Sequence, residues 1–249
     1  MKITHADKHR WIKYIHPDIL PDFGKNNTKK ITVLLNQIDS AEISHTITPA
    51  TNEDIQWFEA MYLKNLQDKH NPKPHNIFKT TLGKEVIKYP YFILTLREKG
   101  QLVGGTIFTM RPDRLSIAYR TYPLSWLQHQ TKCSPALYAE YIITAYALDN
   151  DLSILVHGVD HNPYGVNSHI GVAIFKLAVG CYPDIVTTHS LCESDLQMLP
   201  FGSLVLLYPE SGERITKAYL IGDTSTAEKY EQVFKYPQQL QVTLYTPTL

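Results

Sequence analysis

The 249-residue sequence predicts an α+β fold, layered α/β/α around a mixed sheet. Three observations carry that prediction. Residues 91–121 read as three short strands joined by tight turns. Helical patterns flank this meander, at about 52–68 and from Ser134 to Leu148. A strand, a glycine-containing loop and another helix then follow between Ser153 and Val179.

The first thirty residues carry Pro17, Pro21 and Gly24 before the polar run from Lys25 to Lys30, and they read as an irregular arm. Ile31–Leu35 is rich in β-branched residues and reads as a first strand. Thr51 and Asp54 form the start signal of a helix whose apolar face is Ile55, Phe58, Tyr62 and Leu66. Pro72 and Pro74 cannot continue it, because proline lacks the amide donor. A short helix is expected over about 76–88.

In the meander, Gly100 and Pro112-Asp113 supply the turns, and Gly104-Gly105 marks a bulge or a close backbone approach. Ser134-Pro135 is a strong helix start. Ser153–His157 fits a buried strand, Gly171–Val179 a helix ended by Gly180, and Ile185–Thr188 another strand. Leu204–Tyr208 and Ile215–Ile221 are expected to form a hairpin around Glu210–Glu213. A last helix capped by Thr224 or Ser225 and a strand over Leu240–Tyr245 close the chain.

Charge is balanced, with 24 basic and 24 acidic residues, so no global field favours DNA or an anionic membrane. No apolar run reaches the length of a membrane span, and no signal-type segment opens the chain. Cys133, Cys181 and Cys192 are odd in number and lack paired spacing, which suits a reduced, soluble, cytoplasmic protein.

The segment from Leu155 to Gly180, LVHGVDHNPYGVNSHIGVAIFKLAVG, holds most of the chemistry. A strand running through a small-residue loop into a helix gathers unpaired amides at the positive end of the helix dipole. Gly165, Val166, Asn167, Ser168 and Gly171 could therefore cradle an anion. The competing reading is a tight turn in which the glycines serve only the backbone. His157, Asp160, His161 and His169 lie close in sequence, but their spacing fits no compact metal motif, and no metal is expected.

Gly165, Gly171, Phe175-Lys176 and Gly180, together with the hairpin Gly100-Gln101-Leu102-Val103-Gly104-Gly105, resemble the Fem-type aminoacyltransferases within the GNAT superfamily. The match covers roughly residues 50–190. It departs from the family in having one such domain instead of two, and in lacking a clean acetyl-coenzyme A signature. The resemblance implies a GNAT-like N-acyltransferase fold whose mixed sheet is split centrally, with ligand in the cleft. It implies domains at 31–200 and a C-terminal extension over 201–249 packed on the same domain. It further implies an enzyme passing an acyl or aminoacyl group to a small-molecule or peptide amine, from acyl-CoA or from aminoacyl-tRNA.

In that frame Lys176 would stabilise an oxyanion or a carrier phosphate, and His157, with Asp160 behind it, would take a proton from the amine. Arg120 and Tyr119 at a strand end, with Tyr164 and Phe175, would contact substrate. A silent binding module of the same fold, and a homodimer, stay open at this level.

Overall fold

The computed structural model of the chain describes residues 2–67, 76–81, 88–166, 168–208 and 214–247. In chain order the first elements are β1 (Lys2–Tyr14), α1 (Gly24–Leu35), β2 (Ile43–Pro49), α2 (Asn52–Gln67) and α3 (Ile77–Thr80). Next come β3 (Tyr91–Glu98), β4 (Gln101–Arg111), β5 (Arg114–Thr121) and α4 (Pro135–Asp149). The rest is β6 (Ile154–His161), α5 (Ile170–Ala178), β7 (Tyr182–Cys192), α6 (Glu193–Gln197), β8 (Leu204–Leu206), β9 (Lys217–Ile221), α7 (Thr224–Lys229) and β10 (Gln241–Tyr245). The chain forms two compact units, one of residues 15–156 and one of residues 1–14 with 157–249.

In the unit of residues 15–156, β2, β3, β4 and β5 pair in that order, each antiparallel to the next. The meander stands at the expected residues. The α2 start is built as its sequence reads: Thr51 N–H donates to Asp54 Oδ2 at 2.9 Å, and Asp54 N–H donates to Thr51 Oγ1 at 3.2 Å. Ile55 and Phe58 from this helix pack with Ile77, Ile93 and Ile107 into one core cluster. The short helix expected over 76–88 is α3, four residues long; residues 82–87 lie outside the described residues. Ser134 caps α4 by accepting from Leu137 N–H.

Gly104 allows β4 and β5 to approach closely. A Cβ there would lie 2.3 Å from Thr121 O and 2.6 Å from the Tyr122 ring. Because the obstructing atom is backbone, the strands themselves would have to part. Gly104→Ala is expected to destabilise by about 3 kcal/mol, the upper part of the overpacking range, read as a lowered urea midpoint.

The other unit corrects the expectation for the amino terminus. Residues 2–14 are no irregular arm: β1 pairs antiparallel with β7, from Lys2 opposite Cys192 to Ile12 opposite Tyr182. The strand was hidden because its inward residues are not aliphatic. His9, Trp11 and Lys13 alternate into the interior, each fully buried. The strand order here is β6-β1-β7. In the unit of residues 15–156, Ile31–Leu35, expected as a strand, ends helix α1, whose buried residues Ile31 and Leu34 stand three apart on one face. That spacing outweighs the β-branched character of Ile31, Thr32 and Val33.

Carboxy-terminal to Gly202, β8 and β9 pair antiparallel, while β10 joins β9 in parallel. The expected turn at Glu210–Glu213 lies outside the described residues. The last helix is capped by Asp223, which accepts from Thr226 N–H at 2.9 Å, instead of by Thr224 or Ser225.

Candidate active site

A buried polar cluster joins β1, β6, the loop after β6, and α5. The buried face of α5 consists of Ile170, Ala173, Lys176 and Leu177. Lys176 therefore occupies a core position, at 8% exposure, and is no solvated surface charge. Its Nζ donates to Asp160 Oδ2 at 2.5 Å and to the carbonyl oxygen of His157 at 3.2 Å.

Asp160 Oδ2 also accepts from Tyr164 Oη–H at 2.7 Å and from Trp11 Nε1–H at 3.1 Å. Trp11 Nε1–H lies 2.7 Å from Tyr164 Oη as well, and His9 Nε2 lies 2.7 Å from the same oxygen. Lys176 Nζ stands 5.9 Å from the centre of the Trp11 ring, within reach of its π face. One carboxylate oxygen thus collects three donors, and one phenol oxygen is surrounded by three polar neighbours.

Electrostatics follow from this packing. Burial pushes the Asp160 carboxyl up, but the Lys176 charge and the hydrogen bonds from Lys176 and Tyr164 outweigh it, leaving it below the usual carboxylate range. Burial, reinforced by the Asp160 charge and its acceptance of the hydroxyl proton, holds Tyr164 well above an ordinary phenol. Burial lowers His9 to about 4 against the pull of Asp160, so its imidazole is neutral at pH 7.

The loop that carries Tyr164 is pinned from the carboxy-terminal segment. The Asn162 side-chain amide donates to Leu206 O and accepts from Leu206 N–H, both at 3.1 Å, in place of a strand neighbour. Tyr164 and Leu204 exchange backbone hydrogen bonds of 3.0 Å. The segment after residue 200 therefore helps to hold Tyr164 at the cluster.

Lys176 and Asp160 meet through their side chains, and His157 joins them through its main-chain carbonyl. Tyr164 is fully buried, with its hydroxyl engaged inside the cluster. Phe175 is half-buried on α5.

Two amides expected to face an anion are engaged within the chain. Gly165 N–H donates to Ser168 O at 2.6 Å, and Gly171 N–H donates to His169 Nδ1 at 3.0 Å. Gly165 has φ +90 and sits where a Cβ would come 3.1 Å from Gly202 O, so close backbone packing accounts for that glycine. Val166 is exposed, Ser168 is half-buried, and Asn167 lies outside the described residues.

Arg120 and Tyr119 belong to the other unit. Arg120 pairs with Glu140 of α4, which is fully buried. Tyr119 Oη lies 2.7 Å from Thr80 Oγ1 and packs on Tyr62. Both side chains hold their own unit together.

Sequence reasoning missed His9 and Trp11. The available signal was the period-two placement of His9, Trp11 and Lys13 within a stretch poor in aliphatic residues.

The architecture is an α+β fold with a mixed sheet, as the sequence predicted. The chain superposes on FemX with a TM-score of 0.51 at 11% identity, covering 77% of this chain and 63% of FemX. It is also similar to the C-terminal domain of a putative lysylphosphatidylglycerol synthetase from Agrobacterium fabrum (TM-score 0.48, 8% identity, 78% and 62% covered). A third similar structure is L-PGS from Bacillus licheniformis (TM-score 0.43, 12% identity, 74% and 59% covered). The chain thus spans less than two thirds of each of these proteins. No family model matches the sequence, and no curated protein does. Among the described residues, no helix is long and apolar enough to cross a membrane.

Proposed function

We propose that the protein is an N-acyltransferase that moves an acyl or aminoacyl group from an activated carrier, acyl-CoA in the first instance, to a small-molecule or peptide amine. The observation that carries this reading is the anchored Lys176 ammonium, held on a core face of α5 by Asp160 and the His157 carbonyl in a chain with the fold of FemX.

A thioester or aminoacyl ester is already activated, so the protein's part is to hold the amine against the carbonyl and favour the charge that develops. In the proposed step, the amine nitrogen attacks the carbonyl carbon and the carbonyl oxygen takes the electron pair. The Lys176 cation lowers the energy of that oxyanion. The nitrogen's proton passes to the His157 imidazole, the carbonyl re-forms as the carbon–sulfur or carbon–oxygen bond breaks, and the imidazolium returns its proton to the leaving group. Asp160, whose Oδ2 already accepts from three donors, is the counter-ion that fixes Lys176 and a poor base; the base role falls to His157.

Val166, Asn167 and Ser168 are the proposed contacts to the carrier beside the α5 terminus, and Phe175 to the acyl chain. The same reading places the protein in a reducing cytoplasm, in keeping with an odd number of cysteines that lack paired spacing.

The test is to incubate the pure protein with labelled acyl-CoA species or aminoacyl-tRNA and a panel of amines, following label transfer by mass spectrometry. Amide product from a CoA ester is the expected result. Product from aminoacyl-tRNA alone would move the donor to tRNA. No product, and no thermal stabilisation by either donor, would overturn the enzyme reading and leave a silent binding module.

A further inference from the structure

His9, like Trp11, is a member of the buried cluster whose role neither the acyl-transfer chemistry nor the resemblance supplies. The valences of Tyr164 Oη define that role. A phenol oxygen has one hydrogen to give and two lone pairs to receive with. Trp11 Nε1 can only donate, so at 2.7 Å it takes one lone pair. The Asp160 carboxylate can only accept, so at 2.7 Å it takes the hydrogen. One lone pair remains, and His9 Nε2 stands 2.7 Å from the oxygen.

We propose that His9 is a positioning residue, locked as its Nε2–H tautomer, which fills the last lone pair of Tyr164 and so directs the tyrosine proton to Asp160 and fixes the carboxylate that anchors Lys176. The inference rests on the acyl-transfer reading only for the importance of Lys176; the arrangement itself is independent of any activity.

The surrounding charges agree with a neutral ring. His9 is fully buried, and charged or titratable groups that bear on it are Tyr164, Asp160, Lys176 and His161. With the opposing charges of Asp160 and Lys176 both near, burial decides, and the imidazole stays uncharged. A β1 strand that delivers His9, Trp11 and Lys13 inward is thereby tied to the site, although 155 residues separate His9 from Tyr164.

The experiment has two arms, both on the full chain without substrate. In the first, long-range nitrogen–proton NMR on histidine-labelled protein reads the His9 tautomer between pH 8 and pH 5, with the resonance assigned by its loss in His9→Gln. The expected spectrum is the neutral Nε2–H form throughout. An Nδ1–H form, or an imidazolium in that range, would overturn the proposal.

In the second arm, His9→Gln, which can present an amide N–H near the Nε2 position, is compared with His9→Leu, which cannot. His9→Leu is expected to move the Trp11 indole N–H resonance and to raise the methylation rate of the Lys176 amine at least threefold. His9→Gln should restore both towards the native values. Equal behaviour of the two variants would sink the idea. Should His9→Leu fail to fold, the tautomer measured on the native chain decides alone. Absence of transfer activity in the native chain, measured separately, together with the Nε2–H tautomer would count against the function and leave this inference standing.

Discussion

Lys176→Met is expected to lower the unfolding free energy by about 3 to 5 kcal/mol, the range for breaking a largely buried ion pair from one side. The side chains of Lys176 and Asp160 retain only 11% and 18% exposure, so water has little room to replace the lost partner. Asp160 would keep its hydrogen bonds from Tyr164 and Trp11, but neutral donors do not cancel a carboxylate charge. The penalty should fall when the charge is removed as well. In Asp160→Asn/Lys176→Met the amide oxygen can still accept from Tyr164 and Trp11, and no net charge is left behind. We expect the double variant to recover more than half of the loss, a coupling that urea unfolding of the four proteins reads directly. If the single and double variants are equally unstable, the ion pair is not what Lys176 contributes.

Acid sensitivity is the second large effect. His9 binds a proton in the unfolded chain near pH 6.5 and in the folded protein only near 4. Between those values the unfolded state holds the extra proton, so stability rises with pH across this window and falls as pH drops. The contribution is complete above about pH 6.5 and absent below about pH 4. Its size, taken from the difference between the two values, is about 3 kcal/mol. Burial lowers His5 and His45 in the same direction, adding to the slope. Asp160 acts in a separate range. Its folded value is depressed, so its contribution is present above the ordinary aspartate value and is lost only at more acid pH. His9→Gln should flatten the curve between pH 6.5 and 4 while leaving the steeper loss below it. Parallel curves for the native chain and His9→Gln would show that the ring is not buried as described.

The elements of the chain differed in how much of this the sequence disclosed. The helices α2 and α4 were legible because Thr51-Asp54 and Ser134-Pro135 announce their starts and their apolar residues recur at helical spacing. The meander was legible because Gly100 and Pro112-Asp113 punctuate alternating runs. β1 was not, since a strand is recognised by aliphatic alternation, and its inward positions are His9, Trp11 and Lys13. α1 was misread where Ile31, Thr32 and Val33 imitate a strand while tertiary burial of Ile31 and Leu34 makes a helix.

At the site, Lys176, His157, Asp160 and Tyr164 were all within one sequence segment and could be named together. The reading of Lys176 as a solvated surface charge fails because the face of α5 it occupies is buried, next to Ala173 and Leu177. His9 and Trp11 come from the far end of the chain. Pairing of β1 with β7 fixes where β1 lies, and no local pattern encodes that. Glycine spacing suggested an anion cradle, yet Gly165 and Gly171 turn their amides to Ser168 and His169. Glycine tolerates close backbone packing as readily as it serves a ligand, and spacing alone does not separate the two.

The central claim, that the anchored Lys176 ammonium drives acyl transfer, is tested most directly by single-turnover kinetics on the native chain and on Asp160→Asn/Lys176→Met, chosen because it removes the charge pair without stranding a carboxylate. With saturating acyl donor and amine, the double variant should fold and transfer at least about 100-fold more slowly, the loss expected when one oxyanion-stabilising group is removed. A folded double variant that matches the native rate would contradict the account.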